Sequence, residues 1–206
     1  VGTAVGTVPL RVGNVTGGFD RPRNLLSSGD RLFFVETRSD TGSELWTSDG
    51  TAGGSAMVVD LNPSFASSNP SSLTSLRPGL VYFRADAGLG ARPWVSDGTA
   101  FGTTQLADVS PLEPKVLVAA PVVFGGRVFF VASDARYGTE LWVSDGTPAG
   151  TSIMKDLTPG SGGTSFLDIT VGYSGFYFAT WSMRGATLWW SDGTDAGTKM
   201  LRDVGT

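Results

Sequence analysis

The chain has 206 residues, 40% of them hydrophobic, with 29 glycines, 15 basic and 19 acidic residues, a net charge of −4, and neither cysteine nor histidine. Such a length suffices for one all-β domain with a sizeable core. The composition excludes disulfides, Ser-His-Asp and Cys-His catalysis, histidine proton transfer and nearly every zinc site, and the basic residues form no run that could track nucleic acid. No apolar stretch approaches the ~20 residues of a membrane helix. The longest, around Val116 to Phe124, is interrupted by Pro121.

Taken in order, the elements repeat. Val1 to Val15 carries Gly2-Thr3, Gly6-Thr7 and Leu10, which match Gly50-Thr51, Gly54-Ser55 and Val58 further on. Residues 1–18 therefore read as a partial repeat, an extra N-terminal strand, and the valine start without a signal peptide suggests a trimmed chain. The first full unit, 19–63, holds a strand over Arg31–Val35 after the turn Ser28-Gly29-Asp30. Its tryptophan strand is Glu44-Leu45-Trp46, then Asp49-Gly50-Thr51 and a last strand closing on Asp60. The second unit, 64–111, runs from the turn Arg77-Pro78-Gly79 through Leu80–Arg84, Trp94 and Asp97-Gly98-Thr99 to Asp108.

The third, 112–159, is the most regular. An apolar strand Lys115–Val123 leads by Gly125-Gly126 into Arg127–Val131, a hairpin signature. Glu140-Leu141-Trp142, Asp145-Gly146-Thr147 and Ser152–Leu157 follow. The fourth, 160–206, repeats the pattern with Phe176–Ala179, Leu188-Trp189, Asp192-Gly193-Thr194 and Asp203.

The tryptophans Trp46, Trp94, Trp142 and Trp189 are spaced by 48, 48 and 47 residues. Four strand-like segments per unit at that period match a β-propeller blade, whereas a sandwich has no reason to repeat and a β-helix repeats faster. Paired aromatics such as Phe33-Phe34 and Phe129-Phe130 suit strands covered on both faces. The expected fold is all-β: a propeller of four ~48-residue, four-stranded blades plus the N-terminal strand, in one repeat domain.

These motifs resemble the bacterial family of ELWxxDGT repeats, often labelled hyalin-like. Glu44-Leu45-Trp46 with Asp49-Gly50-Thr51, and Glu140-Leu141-Trp142 with Asp145-Gly146-Thr147, match it in full; Arg92-Pro93 and Thr187 depart from it. The resemblance implies a secreted or cell-surface bacterial propeller and lends no catalytic residues.

Asp49, Asp97, Asp145 and Asp192 each precede glycine at a turn, where a short carboxylate accepts backbone N–H groups two residues on. Their spacing is not that of a calcium loop, so no metal and no cofactor is expected. The late aspartates, Asp60 to Asp203, are expected to anchor the connection to the next blade, and the tryptophans to pack between blades. Function is expected where the units disagree, in the loops between second and third strands. There Arg38, Asp40, Asp86, Asp134, Arg136, Tyr137, Trp181 and Arg184 combine aromatic faces, forked donors and carboxylates, a mixture suited to sugars or peptides.

The leading expectation is a non-catalytic extracellular binding or scaffolding propeller, not an enzyme. It takes a glycan or protein ligand on the variable-loop face, without nucleic acid or membrane insertion. It is expected either to self-associate as a homo-oligomer or to form part of a larger propeller. One alternative is a lectin. Another is a carboxylate-based glycoside hydrolase or lyase, which needs no histidine.

Overall fold

The computed structural model describes residues 21–51, 53–111 and 120–203, and among them every regular element is a β-strand. The first blade is β1 (Arg23–Ser28), β2 (Arg31–Arg38), β3 (Gly42–Ser48) and β4 (Ser55–Met57). The second is β5 (Ser71–Arg77), β6 (Leu80–Asp86), β7 (Ala91–Ser96) and β8 (Thr104–Gln105). A short β9 (Ser110–Pro111) precedes the third blade, β10 (Val122–Phe124), β11 (Arg127–Asp134), β12 (Gly138–Ser144) and β13 (Ser152–Lys155). The fourth is β14 (Ser165–Val171), β15 (Phe176–Ser182), β16 (Gly185–Ser191) and β17 (Lys199–Asp203). Each blade is an antiparallel meander in strand order, and β9 adds to the third by pairing with β11. The chain is a four-bladed β-propeller. The expected N-terminal strand, 1–18, lies outside the described residues, as does most of the first strand expected over Lys115–Val123.

The turns explain the meander. Phe124 pairs with Arg127 across Gly125 and Gly126, whose φ angles are +57° and +73°. A two-residue hairpin with both central residues in the left-handed region matches strand twist, and glycine adopts it without a Cβ penalty. The second and third strands pair in one register throughout, so that Phe34, Phe83, Phe130 and Phe178 stand opposite Trp46, Trp94, Trp142 and Trp189.

Because side chains alternate across a strand, each blade has a forward and a backward face. Phe33, Leu45 and Val58 leave the first blade forward to meet Val81, Phe83 and Ala85, which leave the second backward. The same join recurs between the second and third blades, where Tyr82, Val95 and Leu106 meet Val128, Phe130 and Trp142. Between the third and fourth, Phe129, Leu141 and Met154 meet Phe166, Phe176 and Phe178. The aromatics touch across these joins, with ring centroids 5.1 Å apart for Tyr82 and Phe130 and 4.6 Å for Phe129 and Phe176. Burying each such ring contributes about 1.5–3 kcal/mol. The innermost strands follow one another as β1, β5, β10 and β14.

The Ser-Asp-Gly-Thr-x-x-Gly-Thr turn is a closed hydrogen-bond circuit. In the third blade Thr147 donates its backbone N–H and its hydroxyl to Asp145 Oδ1, at 2.8 and 2.7 Å. Gly150 N–H donates to Thr147 Oγ1, Thr151 Oγ1 donates to Thr147 O, and Gly146 N–H donates to Ser144 Oγ. Asp97 and Asp192 make the same paired contacts with Thr99 and Thr194, and Asp49 with Thr51. The second glycine is needed for space, since a Cβ on Gly150 would run into the Asp145 carboxylate. These bonds hold the Asp145 carboxyl below the usual range, the Thr147 hydroxyl first and its amide second. Asp49 is lowered too, there by the Thr51 amide before the hydroxyl.

Candidate functional site

In a meander the second-to-third hairpins and the blade connections share the end opposite the Asp-Gly-Thr turns. The connections are tied to those hairpins: Thr164 N–H donates to Thr139 O at 2.6 Å, and Asn69 N–H to Ser43 O at 3.1 Å.

The anchor of this end is the glutamate of the motif. Glu44 is fully buried, and its carboxylate accepts Leu61 N–H at 3.2 Å, Ser68 N–H at 2.8 Å and Ser68 Oγ–H at 2.5 Å. Glu140 repeats this with Leu157 N–H, Thr158 N–H and the Thr164 hydroxyl, at 3.2, 3.1 and 2.8 Å. Burial raises both carboxyls above their ordinary value, while the donors pull the other way and Asp60 or Asp156 adds a smaller push upward. In the second blade Arg92 takes the same place and reverses the polarity. Its Nε donates to Asp108 at 2.6 Å and its Nη1 to Ser110 Oγ at 3.4 Å. The connections thus hang chiefly on Glu44, Glu140 and Arg92, rather than on the late aspartates alone. A charged residue beside Leu-Trp inside an apolar strand was the signal for this role.

The variable-loop residues divide into two groups. Arg38, Asp86 and Asp134 end strands β2, β6 and β11, and Trp181 lies one residue inside the end of β15, so the free tips are shorter than the sequence suggests. Asp86 Oδ1 accepts the N–H groups of Gly88 and Gly90, both at 2.8 Å, and Asp134 Oδ1 those of Arg136 and Tyr137, at 3.0 and 2.6 Å. Their carboxylates hold their own loops. Arg38 donates to Asp40 at 3.2 Å and lies over the Trp46 ring at 5.5 Å, and Arg136 covers Tyr137 at 4.9 Å. These groups are spread over three blades and satisfied locally.

Trp181 is different. It pairs with Ser165 and Ala186 in the backbone register and is 56% exposed. Beyond it the two-residue tip Met183-Arg184 projects, with Met183 fully exposed. Beside Trp181 lies a hollow of about 310 Å³, lined by Leu157, Thr158, Gly163, Thr164, Ser165, Thr180, Ser182 and Trp189. Its wall is fixed. Trp189 stacks on Phe178 at 5.8 Å with rings 2° from parallel, and its indole N–H donates to Thr180 Oγ1 at 3.0 Å. Thr158 and Thr164 share a 2.8 Å hydroxyl contact. The structure therefore brings Trp181 to a concave site of hydroxyls and indole between the third and fourth blades. The threonines and serines of that site carry no sequence signal: Thr158 and Thr164 sit in the connection, Ser165 opens β14, Thr180 and Ser182 lie in β15, and none belongs to the repeated motif.

No family model matches the chain, and no curated protein does. Solved structures do match in fold. A puromycin-hydrolyzing peptidase of Mycobacterium tuberculosis superposes with a TM-score of 0.58 at 12% identity, over 92% of this chain and 30% of that one. The acylaminoacyl peptidase of Pyrococcus horikoshii gives 0.55 at 12% identity, over 92% and 29%. An alpha-L-arabinofuranosidase of Clostridium thermocellum gives 0.35 at 14% identity, over 88% and 71%. The chain spans about three-tenths of the length of the two peptidases. At these identities the likeness concerns the fold. Peptidases are among the proteins that share this fold, so the expectation that the chain is not an enzyme does not stand; the fold by itself assigns no activity. The absence of histidine removes histidine-based chemistry only.

Proposed function

We propose that the chain is an extracellular bacterial propeller of the ELWxxDGT type that binds a glycan in the hollow beside Trp181. The observation that carries this reading is the pairing of an exposed indole with a rigid, hydroxyl-lined concavity. Sugars present apolar C–H faces and a rim of hydroxyls, and an aromatic plane with nearby Ser and Thr oxygens complements both. Stacking of this kind contributes about 0.5–1.5 kcal/mol beyond the area buried.

A glycan array with the full chain names the sugar, and Trp181→Ala tests the site. The expected outcome is binding weakened roughly 2–12-fold, in keeping with that stacking energy, with the melting temperature nearly unchanged. Trp142→Ala, by contrast, removes a core side chain and costs about 3–5 kcal/mol of stability. A Trp181→Ala protein that melts as early as Trp142→Ala would return Trp181 to the core. The bound glycan, incubated with the protein and weighed by mass spectrometry, reports whether it is cleaved.

A further inference from the structure

The fourth blade has a forward face like the others, but here it is open. Tyr177 stands where Phe33, Tyr82 and Phe129 stand in the first three blades, and Leu188 where Leu45 and Leu141 stand. Those five are fully buried; Tyr177 and Leu188 are each 40% exposed. Leu201 lies twelve residues beyond its tryptophan, as Val58, Leu106 and Met154 do, and is 52% exposed where they are buried. Between Tyr177 and Leu188 lies a shallow, mostly apolar hollow of about 150 Å³. Three established joins in this molecule show what such a face does: it receives another β-sheet.

The charges on the face say which sheet. One transverse row of the blade reads Asp168, Ala179, Leu188, Arg202, and the adjacent forward row reads Thr170, Tyr177, Trp190, Lys199. The acid is at the innermost strand, the two bases at the outermost, and the apolar groups between. A two-fold axis parallel to the strands turns inner edge onto outer edge. It lays Asp168 of each copy against Arg202 and Lys199 of the other, with Tyr177 and Leu188 meeting at the centre. Across the join between third and fourth blades Lys155, the counterpart of Arg202, likewise reaches an acid of the facing blade, Asp195. Head-to-tail stacking lacks a receiving surface, because Phe34 and Trp46 on the backward face of the first blade are themselves buried.

We propose that this face is an isologous interface with a second copy of the same chain. Four strands about 4.8 Å apart and about seven residues long at 3.4 Å per residue present roughly 450 Å² per partner. That is below the size of a stable interface and suits a dimer that dissociates in the micromolar range.

Sedimentation velocity on the full chain from about 1 to 200 μM tests it. The expected result is a monomer–dimer equilibrium that weakens with salt, as opposed edge charges require. Leu188→Asp should weaken the dimer at least tenfold, and so should Asp168→Arg. Combining Asp168→Arg with Arg202→Asp and Lys199→Asp should restore association, because the full swap keeps both pairings across the axis. Circular dichroism confirms that the variants are folded. Should Leu188→Asp not fold, the charge swap decides alone. A monomer at every concentration would give the face to a further blade or another partner and overturn the proposal, as would a dimer indifferent to these changes.

Discussion

Each motif residue has a task that can be tested by itself. Removing the Asp145 carboxylate frees Thr147 N–H and Oγ, so Asp145→Ala should destabilise by about 0.5–2 kcal/mol, as loss of a helix cap does. Gly150→Ala should cost a similar amount, since its Cβ displaces the same carboxylate. Glu140→Ala leaves two backbone donors and a hydroxyl unsatisfied in a buried place, and about 2–4 kcal/mol is expected. Chemical denaturation measures all three. The two acids also respond to pH with opposite sign. The Asp145 carboxyl is lowered on folding, so its contribution is complete above the ordinary carboxylate range and lost as pH falls through the lowered value. Glu140 is raised, so the native state holds its proton more tightly than the unfolded chain does. Stability from this group is greatest below pH 4.5 and declines as pH rises through the raised value. Melting temperatures of Glu140→Gln across that interval should lose the decline.

At the scale of strands, the hairpins, whose second-to-third turns hold positive-φ Gly42, Gly88, Gly138 and Gly185, make each blade a locally assembled unit, while its faces are completed by neighbours. Phe129 belongs to the third blade but is buried against Phe176 of the fourth. Phe129→Ala should therefore cost about 3–5 kcal/mol, and the loss should fall on one join. Hydrogen exchange is expected to quicken in β14–β17 and in the forward side of β11, while β1–β4 keep their protection. Much of this level was legible in the sequence. The 48-residue period marked the blades, and Gly125-Gly126 marked a hairpin, because both express strong local rules. The length of β2 and β11 was not legible, since polar Thr37, Arg38 and Ser133 continue a ladder that cross-strand bonds, not hydrophobicity, sustain. The role of Glu44 was only half legible: a charge beside Leu-Trp in an apolar strand marks it, but its partners, Leu61 and Ser68, are distant in sequence and offer only two backbone amides and a hydroxyl.

For the molecule as a whole, stability is approximately the sum of blades and joins, with no disulfide and few close ion pairs among the described residues. The pairs Arg38–Asp40, Arg92–Asp108 and Lys155–Asp195 are partly exposed and contribute up to about 1 kcal/mol each. Salt up to 1 M should accordingly shift the melting temperature little. The glycan site was only half legible at this scale. Trp181 stood out because no other blade has it, but the hollow exists only where two blades and their connection meet.

The exchange of glutamate for arginine at the connection has a hereditary consequence. Glu44 and Glu140 grip residues of the segment that leads into the following blade, and Arg92 grips Asp108 and Ser110 of its own. A blade cut out as a geometric sheet would part the gripping side chain from what it grips. Recombination that duplicates or shuffles these units intact must instead cut within a blade, between its second and third strands. The unit that keeps each gripping side chain with what it grips is thus offset by half a blade from the sheet seen in the fold. Chimeras joined at Ser39–Thr41 or Ala135–Tyr137 should fold, while those joined within the connections should part each glutamate from its amide and hydroxyl donors.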